Sequence, residues 1–180
     1  QLVVEESIFN FDMAAFYTKW LRDIRESQKE DGSLSDVAPP HWQRYPADPP
    51  WGTACIVIPW YLYLYYDDKR ILEENYHLMK GWVDYLTTIK EGHLIKFSKY
   101  GDWCPPGKFR SVDVPGELIS TWCYYHDVLS LSNIARILGK SADAKKYAAL
   151  SKLIKEAFNK EYLEEDYYSY NSKISGILLR

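Results

Sequence analysis

The chain has only 3 cysteines in 180 residues: Cys55, Cys104 and Cys123, which form neither a CxxC pair nor an even set. Such usage excludes a disulfide framework and a structural zinc site, and leaves buried or incidental thiols. The 4 histidines are no richer in pattern. His77 and His126 fall on helical segments without a second ligand at i+4, and neither His41 nor His93 completes a set, so no metal is expected. Net positive charge is missing too. Lys+Arg 22 against Asp+Glu 25 gives -3, the pI is about 5.8, and the basic residues alternate with acids, so nothing draws the chain to nucleic acid. No apolar run approaches the roughly 20 residues of a membrane span; Cys55 to Tyr66 is shorter and holds Pro59. A phosphate-binding glycine loop, a nucleophile elbow and a Ser-His-Asp order are all lacking, as is a basic-then-apolar leader at the start. The expectation is a soluble protein with no cofactor and no nucleic-acid or membrane partner, its compartment open between cytoplasm and secretion.

What the chain does have is aromatics, 16% of residues, as Tyr 16, Trp 7 and Phe 6. That share suits a large helical core or a sugar-binding surface, and position must decide. Phe9, Met13, Phe16, Trp20 and Ile24 recur at steps of three and four, predicting a helix from Ser7 to Gln28 with a charged outer side. Asp31-Gly32 stops it, and five prolines between Pro39 and Pro50 keep the segment to Trp51 irregular. Thr53 to Tyr66 carries no charge, which predicts an inner helix buried all round, kinked or started at Pro59. Asp67 or Asp68 caps the next helix, where Leu72, Tyr76, Met79, Val83 and Leu86 face inward and which Gly92 ends.

Residues 92 to 116 form a second long loop, with a short strand expected at Leu94 to Phe97. A second almost uncharged helix spans Glu117 to Leu138. Gly139 stops it, Ser141 caps, and a wet-faced helix covers Ala142 to Lys160. Residues 161 to 174 read as a third long loop, with a further inner helix starting at Ile174 to Leu179.

Amphipathic and wholly apolar helices therefore alternate, long connections leading from outer to inner and short ones from inner to outer. That pattern predicts an all-α fold of concentric hairpins, an incomplete (α/α)6 toroid, with the long loops gathered on one rim. The rival is an open helical solenoid of units of about 65 residues, which no clear repeat supports. Five helices and the start of another do not close such a ring, so residues 1-180 read as a single partial barrel domain truncated at both ends.

The acids in the long loops are Asp36, Asp48, Asp102, Asp113 and Glu117. Glycoside hydrolysis needs two carboxyls flanking the scissile bond, but a lone loop acid is more often a turn former or cap. Asp102, between a glycine and Trp103, has the strongest case; Glu117 is placed to stabilise a helix N-terminus. Trp51 and Trp103 stand at corresponding points, each before an inner helix. Two readings stay open for them: platforms for the apolar face of a sugar, or plugs holding the loops on the barrel.

The runs NFDMAAFYTKWLRDIRESQKEDGSLSDVAPP (10–40), WGTACIVIPWYLYLYYDDKRILEENYHLMKGWVDYL (51–86), GDWCPPG (101–107) and ELISTWCYYHDVLSLSNIARILGKSADAKKYAALSKLIKEAFNKEYL (117–163) resemble, in order and spacing, the catalytic domain of inverting bacterial α-L-rhamnosidases. The resemblance implies a six-hairpin glycosidase barrel acting on rhamnosylated glycosides or polysaccharides. It implies that Trp51 and Trp103 line the rhamnose pocket; Asp102 joins them as a substrate-binding candidate on its place beside Trp103. It also implies that the family's general acid lies upstream of Gln1 and its general base beyond Arg180, so that neither is in this chain. The remaining barrel segments would then be its partner. Thr53 departs from the pattern, since many relatives carry Asp or another polar residue after the same Trp-Gly. Residue reading alone also leaves another α/α-barrel glycosidase or lyase, or a non-catalytic carbohydrate-binding helical module.

Overall fold

The computed structural model describes residues 3–104, 107, 114–164, 167–170 and 173–174. The predicted first helix is two: α1, Val4–Asn10, and α2, Ala14–Glu26. The break has local and long-range causes. Asp12 Oδ1 accepts the Ala14 N–H at 3.2 Å, and the Met13 N–H donates to the Tyr66 hydroxyl at 2.9 Å instead of continuing a helix. The interruption resets the helical phase, so α2 buries Tyr17, Leu21 and Ile24 while Phe9 and Phe16 are exposed. Of the expected inward face, Ile24 is buried and Met13 and Trp20 pack half-buried against the core, while Phe9 and Phe16 are exposed.

The first inner segment comprises a four-residue turn of helix, α3 (Pro49–Gly52), and α4 (Ala54–Tyr66), which runs through Pro59 rather than starting there. Its first half is buried, from Ala54 to Pro59 apart from half-buried Val57, whereas Leu64 and Tyr65 are exposed; burial all round holds only near the N-terminus. After it, the Asp68 side chain accepts the Arg70 N–H and starts α5, Lys69–Glu74. Buried Asn75, whose Nδ2 donates to Ile71 O at 2.8 Å, separates α5 from α6, Tyr76–Ile89, where a single helix was expected.

The second inner helix, α7 (Gly116–Ile137), turns directly into α8 (Ser141–Tyr162). The turn is a Schellman closure: Lys140 N–H bonds Ala135 O at 2.8 Å and Gly139 N–H bonds Arg136 O at 3.1 Å, with Gly139 at φ +72 where a Cβ would be strained. Ser141 is not the predicted cap; Lys140 holds that position and Ser141 is the first helical residue. The expected strand at 94–97 reduces to one bridge, Glu91 with Leu94. The third loop carries a small antiparallel sheet, β1 (Leu163–Glu164), β2 (Tyr167–Tyr170) and β3 (Lys173–Ile174), in the order β1-β2-β3. Ile174 is thus in a strand rather than a helix, and residues 175–179 lie outside the described residues.

Inner helices α4 and α7 touch each other; α2 and α6 back α4, and α6 and α8 back α7. One apolar core runs through Leu21, Ile56, Ile58, Met79, Trp82 and Leu131. This is the alternating arrangement expected of part of an (α/α)6 barrel. None of the described helices is long and apolar enough to cross a membrane.

Candidate functional site at the rim of the inner helices

The two long loops meet, and the reason begins with two prolines. Asp48 is the N-cap residue of α3, but its side chain makes no capping bond. Pro49 and Pro50 have no N–H to offer it. The carboxylate, fully buried, turns instead to the other loop and accepts the N–H groups of Lys99 at 2.9 Å and Tyr100 at 3.1 Å. Asp36 completes the clasp. Its Oδ1 accepts the Asp48 N–H at 2.8 Å, and its Oδ2 takes the Tyr100 hydroxyl at 2.8 Å and the Lys99 ammonium at 3.0 Å. Burial pushes the Asp48 carboxyl above the ordinary carboxylate range, and Asp36 adds to the rise against the pull of the two N–H groups and Lys99. The Tyr100 phenol is raised as well, by burial and by its bond to Asp36.

The clasp sets Tyr100 between the two tryptophans. Its ring centroid lies 4.7 Å from that of Trp51 and 5.5 Å from that of Trp103, the second pair edge to face. Trp51 and Trp103 are therefore the ends of one aromatic run, Trp51 half-buried in α3 and Trp103 exposed. Trp51 sits in a helical turn rather than in loop, a small correction to its expected setting. Asp102 is half-buried, between Gly101 and Trp103. Asp113 lies outside the described residues. Glu117 occupies the first turn of α7, as its structural reading requires, and pairs with Lys96 at 3.3 Å.

A second buried carboxylate stands behind Trp51. Asp127, on the inner helix α7, is fully buried; its Oδ2 accepts Trp82 Nε1–H at 3.0 Å and lies 3.0 Å from Thr53 Oγ1, while Oδ1 is 3.3 Å from His126 Nδ1. Burial raises its pKa against the opposing pull of His126, Trp82 and Thr53. His126 stacks on Trp122, ring centroids 5.4 Å apart. Thr53, the departure noted in the sequence, is thus tied into the core. Cys55 and Cys123 are buried, their thiols held well above the usual range by burial, and Cys104 is exposed.

Sequence reasoning missed Tyr100 and Asp127. A signal existed for the second, a lone acid on the apolar face of an almost uncharged helix. None marked Tyr100, one tyrosine among 16. Chemically, the carboxylates of Asp36 and Asp48 hold loops together, and what faces outward is aromatic.

A family model described as the bacterial alpha-L-rhamnosidase 6 hairpin glycosidase domain matches residues 1–178. The chain belongs to this glycosidase family. An alpha-L-rhamnosidase of Formosa agariphila is 31% identical over 162 residues, covering 88% of this chain and 17% of its own length. The solved alpha-L-rhamnosidase from Dictyoglumus thermophilum superposes with a TM-score of 0.91 at 55% identity, over 93% of this chain and 19% of that one. The Streptomyces avermitilis alpha-L-rhamnosidase, solved in complex with L-rhamnose, gives 0.79 at 33% identity over 86% of this chain and 14% of that one. The chain thus spans less than a fifth of each of these relatives, and what it shares with them is helical barrel.

Proposed function

We propose that this chain forms one wall of the sugar pocket of an inverting α-L-rhamnosidase. The observation that carries the reading is the run Trp51, Tyr100 and Trp103, built from α3 and the second long loop, which precede the two inner helices. Aromatic rings receive the apolar face and methyl group of a deoxy sugar, and Asp102 beside Trp103 is set to accept from its hydroxyls. The family and the L-rhamnose held by the Streptomyces avermitilis relative support rhamnose as the ligand.

The catalytic carboxyls lie outside this sequence in this reading. Asp36 and Asp48 are bound to the neighbouring loop, Asp127 to the core, and all three are buried or nearly so. In the whole enzyme a general acid protonates the glycosidic oxygen while a base activates water on the opposite face, the two carboxyls about 6.5–9.5 Å apart. The role of this chain is to hold the ring between them and to keep other water out. Residues 1-180 then make up one partial domain, completed by the remaining barrel segments.

Two assays test the reading. With an aryl α-L-rhamnoside the isolated chain shows no turnover above buffer; a measurable rate overturns the assignment of the acid and base to other segments. Titration with L-rhamnose perturbs tryptophan fluorescence, and W51A or W103A weakens binding about tenfold or more. Unchanged affinity in both variants refutes the aromatic wall.

A further inference from the structure

Trp51 is carried by a short helix whose supports can be traced to the core. The four-residue helix α3 is closed at its C-terminal end by Thr53, whose Oγ1 lies 3.0 Å from both Pro49 O and Asp127 Oδ2. Gly52, next to Trp51, packs against the Trp82 indole so closely that an added Cβ would come within 2.1 Å of Cζ2. Trp82 in turn is fixed by its only polar atom, Nε1, which donates to the same Asp127 Oδ2 at 3.0 Å. One buried carboxylate therefore restrains both surfaces that α3 rests on: the indole under Gly52 and the hydroxyl after it.

We infer that Asp127 is a positioning residue that sets the angle at which Trp51 meets Tyr100 and, through that pair, the sugar face of the pocket. The sugar half of the inference rests on the proposed function, but the orientation half stands without it. Three elements converge on Asp127: the α3–α4 junction through Thr53, α6 through Trp82, and α7 itself through His126. An apolar or shortened side chain at 127 leaves the Trp82 N–H and the Thr53 hydroxyl without this acceptor in a closed core, and both relax by shifting toward other partners. Asparagine keeps the geometry, because its Oδ1 accepts from Trp82 and its Nδ2 faces His126 Nδ1.

The test uses the 180-residue chain carrying 5-fluorotryptophan, with the Trp51 and Trp103 19F resonances assigned by W51F and W103F. In D127A the Trp51 resonance shifts and broadens while that of Trp103 stays in place, and L-rhamnose binds about tenfold more weakly. D127N returns both properties toward wild type. T53V, which keeps the carboxylate and its Trp82 bond, displaces the Trp51 resonance by itself and serves if D127A does not fold. A Trp51 resonance unmoved in D127A and T53V overturns the inference, as does equal displacement of every tryptophan, which marks general loosening. If the wild-type chain binds no L-rhamnose while the Trp51 resonance still moves in these variants, the sugar reading fails and the positioning role stands.

Discussion

The short and long connections of this molecule are closed by different physics. Asp67–Asp68 and Leu138–Lys140 are closed from within: an Asp68 cap at 3.1 Å, and a glycine at φ +72. The loops 27–48 and 90–115 are closed on each other, by Asp48 reaching Lys99 and Tyr100, and by Asp36 reaching Tyr100. A connection that satisfies itself locally serves only to reverse the chain. One that satisfies itself through a distant loop brings distant side chains together, and here those are the rings of Trp51 and Trp103.

The largest effect is expected at Asp48. D48A leaves two part-buried backbone N–H groups without their acceptor, and chemical unfolding should show a loss of about 2–4 kcal/mol with collapse of the aromatic near-UV circular dichroism. A loss under about 1 kcal/mol would mean that the loops hold without the clasp. G52A comes next. The methyl group placed against the Trp82 indole should cost about 1–3 kcal/mol of overpacking, with a blue or red shift in tryptophan emission reporting the moved ring. At the short connections, D68A and G139A should each cost about 1 kcal/mol and leave the aromatic signals unchanged, which thermal melts followed by both far- and near-UV signals would check. If either of these disturbs the Trp51 environment, the contrast between the two kinds of connection fails.

That contrast also explains what could be read from residues alone. Helix alternation was legible because apolar periodicity and caps are local, so α4, α7 and the Gly139 turn fall where expected. The break between α1 and α2 was not, because Tyr66, 53 positions away, takes the Met13 N–H. Asp48 read as a turn former or a cap, and only the absence of N–H on Pro49 and Pro50 hints that its carboxylate must go elsewhere. Trp51 and Trp103 were legible as a pair by their matching places, but Tyr100, which joins them, was not. Asp127 carried the signal of an acid in the middle of an apolar helix without any hint of its partners.

The smallest effect is on pH dependence. Asp127 and Asp48 are both raised on folding, mainly by burial. A carboxyl raised in this way contributes stability present in full below its unfolded value of about 3.9, and that contribution is lost as pH rises through the higher folded value. The groups facing Asp127 are His126, Trp82, Thr53 and the buried thiols of Cys55 and Cys123. D127N should therefore gain stability relative to wild type as pH rises from about 4 toward neutrality. A stability difference that is constant over this range would show that Asp127 does not titrate differently in the folded chain.

The most direct measurement is a titration of the 5-fluorotryptophan-labelled chain with L-rhamnose, read at Trp51, Trp103 and Trp82 together. The two rim indoles should move with one common dissociation constant while the buried Trp82 stays still. Movement of only one rim indole, of neither, or of the two with unrelated constants would contradict a single sugar-facing wall.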